Sequence, residues 1–246
     1  MSRQDLTGVA LVTGGSRGIG RAIALRLAAD GRAVAVGYAS NGGQANEVVE
    51  EVATNGGRAL AVQLDVGDAA DVAAAFDRAE AEFGGLDVVV NAAGIMPLSP
   101  VAELDLEELD RIYRTNIRGT FIVSQQAARR VRAGGAIINL SSSVTRLAIP
   151  SYAAYAASKG AVEALTLILA RELRGRDVTV NAIAPGPTAT DLFFDGKDEE
   201  TIERAAKFAP LERLGEPADI AQLAAFLAGP GHWLNGQVIH ANGGAA

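Results

Sequence analysis

Tyr155 and Lys159 stand four residues apart in Tyr155-Ala156-Ala157-Ser158-Lys159. On a helix this spacing is about 40° past one turn, so both side chains share a face. A phenol beside an ammonium is a proton-transfer pair. Tyrosine is a weak acid with a reference pKa of about 10, and a nearby cation favours its charged form. At ~4 Å and an effective dielectric of ~20 the attraction is on the order of 4 kcal/mol, or ~3 pKa units. In bulk water it is only ~1 kcal/mol, so the pair needs a dry cleft. Taken alone, it reads equally as a tyrosine capping a helix and a surface lysine. Ser142 ends an apolar run of strand length, and Asn116 is a polar residue inside an otherwise apolar helical stretch. A hydride added to a carbonyl carbon must be matched by a proton at oxygen. Tyr155 would donate it and Ser142 would hydrogen-bond that oxygen.

A hydride donor has to be held nearby. Thr13-Gly14-Gly15-Ser16-Arg17-Gly18-Ile19-Gly20 lies between the first strand-like run and the first helical one. Glycines there allow a tight turn and close approach of backbone to a pyrophosphate, and the following helix offers free N–H groups to phosphate. The competing reading is a glycine turn needed only for packing. Dinucleotide folds place an acid after the second strand to bind the ribose hydroxyls. Here that strand ends Gly37-Tyr38-Ala39-Ser40-Asn41, and the first acid after it is Glu47, already within a helix. Ser40 and Asn41 can donate to a 2′-phosphate and Arg17 can supply charge. The expected cofactor is therefore NADP(H). Asp65-Val66 follows the third strand, although Asp65 also reads as a helix cap, a place Asp68 fills better. The small residues of Asn91-Ala92-Ala93-Gly94 end the fourth.

The elements that position these groups alternate along the chain. Strands are expected at 9–13, 33–38, 59–64, 86–91, 136–140, 178–183 and 237–241. Helices are expected at 18–29, 44–55, 69–83, 106–132, 152–174 and 217–227. The strands are continuously apolar, as in a sheet covered on both faces. The pattern predicts one α/β domain over residues 1–246, a doubly wound seven-stranded parallel sheet with helices on both faces, the Rossmann fold. Residues 185–210 break the rhythm with prolines, an acidic stretch at 195–203 and Phe193-Phe194, and read as a substrate loop or lid over about 186–210.

The loop spacing Gly14, Gly18, Gly20 resembles the TGxxxGxG segment of the short-chain dehydrogenase/reductase family. Asn91-Ala92-Ala93-Gly94 resembles its NNAG motif, with Ala in second place. Asn116, Ser142, Tyr155 and Lys159 match its catalytic tetrad. Asn181-Ala182-Ile183-Ala184-Pro185-Gly186 and Asn242-Gly243-Gly244 resemble two further segments, so the likeness spans essentially the whole chain. It implies a cofactor site built from Gly14, Ser16, Arg17, Gly18, Ile19, Gly20, Tyr38, Ser40, Asn41, Asp65, Val66, Asn91, Ala92, Ala93 and Gly94. Tyr155, Lys159, Pro185, Gly186, Thr188 and Thr190 complete it. Asp65 would sit near the adenine, Lys159 would hold the nicotinamide ribose, and Asn116 would fix a proton-relaying water. The resemblance is strongest to 3-oxoacyl-carrier-protein reductases and polyhydroxynaphthalene reductase-like members. It implies reduction of a ketone or 3-oxoacyl thioester, and a homotetramer packed through the long central helices and last strand.

Composition narrows the alternatives. There is no cysteine and only His232 and His240, so no metal site is expected. The net charge is −7 without a basic block, which disfavours nucleic acid. Residues 1–7 are polar and lack the apolar core of a signal peptide, and no apolar run is expected to span a membrane. A cytoplasmic enzyme fits best. An NAD(H)-dependent alcohol dehydrogenase and a non-catalytic nucleotide sensor are the competing readings. Leu192, Phe193 and Phe194 are expected either to line the substrate pocket or to pack the lid, and Trp233 is expected to pack. Arg129, Arg130 and Arg132 are the one candidate basic patch for an acidic carrier protein.

Overall fold

A computed structural model describes residues 8–246. The polar stretch 1–7 lies outside the described residues. The elements run β1 (Val9–Thr13), α1 (Gly18–Ala29), β2 (Ala33–Tyr38), α2 (Gly42–Thr54), β3 (Ala59–Gln63), α3 (Ala69–Phe83), β4 (Leu86–Asn91) and α4 (Leu106–Ile112). After a π-helical turn (Tyr113–Arg118) come α5 (Gly119–Arg130), β5 (Val131–Leu140), α6 (Val144–Leu147), α7 (Ala153–Glu172) and β6 (Val178–Pro185). The chain closes with α8 (Asp191–Phe194), α9 (Glu199–Phe208), α10 (Pro217–Leu227) and β7 (Val238–Ala241).

The strands form one sheet in the order β3-β2-β1-β4-β5-β6-β7, with every pairing parallel. This is the expected doubly wound Rossmann arrangement. The chain reverses its direction across the sheet between β1 and β4, and there the helices leave on opposite faces and open a crevice. Alternate residues of β1 feed two cores. Val9 and Leu11 pack with α3, α5 and α7 through Phe76, Val123 and Leu169. Ala10 and Val12 pack with α1, α2 and α10 through Leu27, Val48 and Ile220. Burial on both faces is why these strands are uniformly apolar.

Three expectations change. The helix placed at 106–132 is interrupted by the π-helical turn and ends at Arg130. β5 starts at Val131, before 136, because Val131 pairs with Leu86 across a register shift that absorbs Gly134-Gly135. The loop at 185–210 contains α8 and α9. Asp198 caps α9 by accepting from the Thr201 N–H at 2.9 Å, and Ile202, Ala205 and Ala206 form its half-buried face. The acidic run masked that three-and-four spacing. α7 is long and apolar enough to cross a membrane, at mean hydropathy 1.2. It instead packs on the sheet through buried Val162, Thr166 and Leu169.

Candidate active site

A cleft of about 700 Å³ opens along the carboxyl ends of β1, β2, β4, β5 and β6, where the sheet reverses. That volume is within the range of small-molecule and cofactor sites. Its near wall is the glycine loop. Gly14 has φ +64°, and a Cβ there would stand 2.9 Å from the Ala93 backbone. A Cβ on Gly20 would stand 2.1 Å from the Gly14 carbonyl oxygen, so both positions require glycine. The residue before α1 is Arg17, which makes no side-chain cap, and the first turn holds no acid. The N–H groups at this helix start therefore face the cleft without a side-chain partner, a cradle that suits phosphate.

At the far end of β2 the wall is Arg17, Tyr38, Ala39, Ser40, Asn41 and Gln44, with no acid among them. Asn41 also caps α2, its Oδ1 accepting from the Gln44 N–H at 3.2 Å, which leaves its amide N–H groups as donors. The Asp65 carboxylate, after β3, also lines the cleft. It accepts from Arg114 Nη2 at 2.7 Å and the Gly67 N–H at 2.8 Å. The hydrogen bond from Arg114 holds its carboxyl below the usual range. Asp68, not Asp65, caps α3, accepting from the Ala70 and Asp71 N–H groups.

The other end of the cleft collects Ser142, Tyr155 and Lys159. Three serines follow one another after β5, and their partners separate them. Ser141 Oγ donates to Glu163 Oε1 at 2.6 Å, and Ser143 Oγ to the Ala184 carbonyl at 3.1 Å. Ser142 Oγ accepts from the Val144 N–H at 3.3 Å, which leaves its hydroxyl proton for the cleft and the Tyr155 phenol. Lys159 Nζ donates to the Leu140 carbonyl at 2.8 Å and lies 5.5 Å from the centre of the Tyr155 ring. Burial pushes the Tyr155 phenol up to about 12, with the adjacent Ser142 hydroxyl acting in the opposite direction. Burial pulls Lys159 down to about 8. The expected lowering of the tyrosine by its lysine is thus reversed. The ammonium lies against the ring and spends a proton on Leu140, while desolvation penalises the tyrosinate.

Two of the sequence candidates do not line the cleft. Asn91 is buried, its Nδ2 donating to Asn139 Oδ1 at 2.7 Å and Ser124 Oγ at 3.3 Å. Asn116 is wholly buried in the π-helical turn. Its Nδ2 donates to the Ile95 carbonyl at 2.9 Å and Ser158 Oγ at 3.1 Å, and its Oδ1 accepts from the Ile95 N–H. Both amide hydrogens are committed, so the side chain has none to offer a relaying water. Every other candidate lines the cleft: Gly14, Ser16, Arg17, Gly18, Ile19, Gly20, Tyr38, Ser40, Asn41, Asp65, Val66, Ala92, Ala93, Gly94, Pro185, Gly186, Thr188 and Thr190 among them. Thr190 also caps α8, accepting from the Phe193 N–H at 3.2 Å.

Comparison with known proteins agrees with this geometry. A family model described as Enoyl-(Acyl carrier protein) reductase matches residues 14–246. A short-chain type dehydrogenase/reductase of Picea abies is 48% identical, covering 96% of this chain and 91% of the relative. The chain belongs to the short-chain dehydrogenase/reductase family. Other members show its breadth. A probable tetrahydroxynaphthalene reductase of Zymoseptoria tritici is 41% identical over 96% of this chain and 94% of its own. The crystal structure of a short-chain dehydrogenase from Burkholderia cenocepacia in complex with NADP superposes with a TM-score of 0.92, at 40% identity, covering 99% of each chain.

Within this dehydrogenase/reductase fold, the reading from sequence missed Arg114, Gln44 and Met96 on the cleft wall. Arg114 carried a weak signal, two residues before Asn116 and able to reach an acid brought alongside only by the fold. Of the lid residues, Leu192 and Phe193 line the cleft, while Phe194 packs edge-to-face on Phe193 at 5.7 Å. Trp233 does not pack: it is 98% exposed. The basic patch is mostly neutralised, with Arg130 paired to Asp77 and Glu80, and Arg132 to Asp87. Asn116→Ala would orphan the buried polar groups of Ile95. Urea denaturation is expected to show a loss of about 1–3 kcal/mol, and an unchanged midpoint would refute this bracing role.

Proposed function

We propose that the protein is an NADPH-dependent reductase that converts an uncharged, largely apolar ketone to a secondary alcohol. The observation that carries this reading is one continuous cleft. It joins Arg17, Ser40 and Asn41 at one end, where no acid follows β2, to Ser142, Tyr155 and Lys159 at the other. Its support from relatives is the NADP held by the Burkholderia enzyme and the naming of the Zymoseptoria one as a probable tetrahydroxynaphthalene reductase. When bound, the dinucleotide supplies the hydride.

The chain's own groups do the rest. The glycine loop and the start of α1 would hold the pyrophosphate, and Arg17 with Ser40 the 2′-phosphate. Asp65, braced by Arg114, would lie near the adenine. Ser142 donates a hydrogen bond to the carbonyl oxygen and holds it beside Tyr155. The Tyr155 phenol, fully protonated at neutral pH, gives its proton to that oxygen as the hydride reaches carbon. The resulting tyrosinate is stabilised by the Lys159 ammonium, then reprotonated from it or from solvent. Protonated Lys159 is therefore the competent form. Met96, Leu147, Ile149, Tyr152, Leu192 and Phe193 wall this end, which favours an uncharged ring over a carrier-bound thioester. We further propose a homotetramer. Phe121, Leu167 and Ile168 are exposed on the outer faces of α5 and α7, and Phe226 on α10 and Trp233 after it are exposed as well.

The first experiment is titration with NADPH and NADH, followed by NADPH oxidation with cyclic ketones and a 3-oxoacyl thioester. Tight NADPH binding and turnover of the ketones is the expected result; binding of neither dinucleotide would refute the reading. Tyr155→Phe is expected to remove turnover by at least about 10²-fold while NADPH still binds. Retained turnover would remove Tyr155 from the proton step. Ala39→Asp should weaken NADPH far more than NADH, and equal losses would defeat the 2′-phosphate assignment. Reduction should decline as pH rises through about 8, where Lys159 loses its proton. A rate flat from pH 7 to 9 would contradict that role.

A further inference from the structure

Tyr155, Lys159 and Glu163 fall at i, i+4 and i+8 on α7, one stripe along a single helix face. The three side chains meet three consecutive residues at the end of β5. Glu163 Oε1 accepts from Ser141 Oγ at 2.6 Å, Lys159 Nζ donates to the Leu140 carbonyl at 2.8 Å, and Tyr155 faces Ser142. Glu163 Oε1 also lies 3.0 Å from Thr145 Oγ1, and the same hydroxyl lies 3.0 Å from the Ser142 carbonyl oxygen. One carboxylate thus grips the residue before Ser142 and the residue three after it. From the opposite side Ser143 is tied to the Ala184 carbonyl and to Asn242 Nδ2 at 3.0 Å. The proton-transfer scheme above makes no use of Glu163.

We propose that Glu163 is a positioning residue that holds the Ser141–Thr145 turn against α7 and so sets the separation of the Ser142 hydroxyl from Tyr155. The argument is geometric. Beyond Leu140, the last register partner of β5, the Ser141 and Ser143 N–H groups still donate to the Ile183 and Pro185 carbonyls of β6 at 2.7 and 2.9 Å, ties that reach the backbone from the sheet and not from α7. Tyr155 and Lys159 are fixed by helix register. A tie from the same helix to the serine turn makes the serine move with the tyrosine, and small displacements of reacting groups are costly to rate. A charged acceptor gives shorter and stronger hydrogen bonds to the two hydroxyls than a neutral one. Glu163 does not line the cleft. Its effect therefore belongs to the chemical step and not to binding.

The inference rests on the reductase reading, and the test separates the two. Glu163→Ala is expected to lower kcat about tenfold or more, leave the KM for NADPH unchanged, and enlarge the primary isotope effect from deuterated NADPH. Glu163→Gln keeps an oxygen acceptor for Ser141 and should recover most of that loss. An unchanged kcat in Glu163→Ala overturns the proposal. So does a Gln variant as slow as the Ala variant with both losing thermal stability, which is what a purely structural residue gives. Crystal structures of the wild type and Glu163→Ala supply the second readout. Ser142 Oγ shifted away from Tyr155 supports the clamp, and Ser142 Oγ in place overturns it. If the wild type reduces no carbonyl, the reductase reading fails and this structural readout still decides the clamp.

Discussion

The hydrogen bond from Asn91 Nδ2 to Asn139 Oδ1 holds together the floor on which everything else in the cleft stands. The two asparagines are register partners at the carboxyl ends of β4 and β5. Asn139 continues the chain by donating from Nδ2 to Thr166 Oγ1 at 2.9 Å, and Thr166 lies on α7, within two turns of Lys159. Ser124 on α5 receives the branch. All four side chains are buried, so each unpaired group would carry a desolvation cost of about 1–3 kcal/mol. The strands and the two long helices can then dock in only one register with every group satisfied. Apolar packing alone would tolerate a slide of α7 along the sheet; a polar chain of fixed geometry does not.

That register puts a tyrosine and a lysine together in a place where neither wants to be charged. Burial drives Tyr155 and Lys159 toward their neutral forms from opposite directions, to about 12 and about 8. Lys159 is thereby brought near the range where a cell operates, while Tyr155 is held protonated well above it. In the proposed reduction the acid is delivered neutral, and its conjugate base forms only as its proton leaves for the substrate oxygen and the negative charge passes to the phenol. Lys159 is kept in place by its hydrogen bond to the Leu140 carbonyl at 2.8 Å.

Much of this was legible from residue order. The strand runs of β1, β2 and β4 were plain because both faces of the sheet are covered, and Gly14, Gly18 and Gly20 could be assigned because they fall between a strand and a helix. Tyr155, Lys159 and Ser142 were found from spacing plus position at a strand end. The failures have local causes. The π-helical turn at Tyr113–Arg118 leaves no mark in apolar periodicity, and β5 hides its first residues behind a glycine pair. Asn91 and Asn116 have the residue types of ligand-binding groups, but their hydrogen bonds are spent inside the protein. Arg114 and Glu163 act on partners far away in sequence, Asp65 and Ser141, and nothing short of the fold brings them together. Trp233 has the residue type of a core anchor but lies in the exposed connection between α10 and β7.

Its exposure makes the protein a convenient optical object. Trp233 is the only tryptophan in the chain and forms no part of the cleft wall. Intrinsic indole emission therefore reports one surface spot and nothing of the interior. In a lone chain it is red-shifted and open to quenching by dissolved iodide. When another molecule covers the surface that Trp233 shares with Arg174 and Asp177, the emission moves to the blue and the quenching falls. The nicotinamide's own fluorescence, arising in the cleft, is a separate colour. A single cuvette thus distinguishes what happens at that surface from what happens in the crevice.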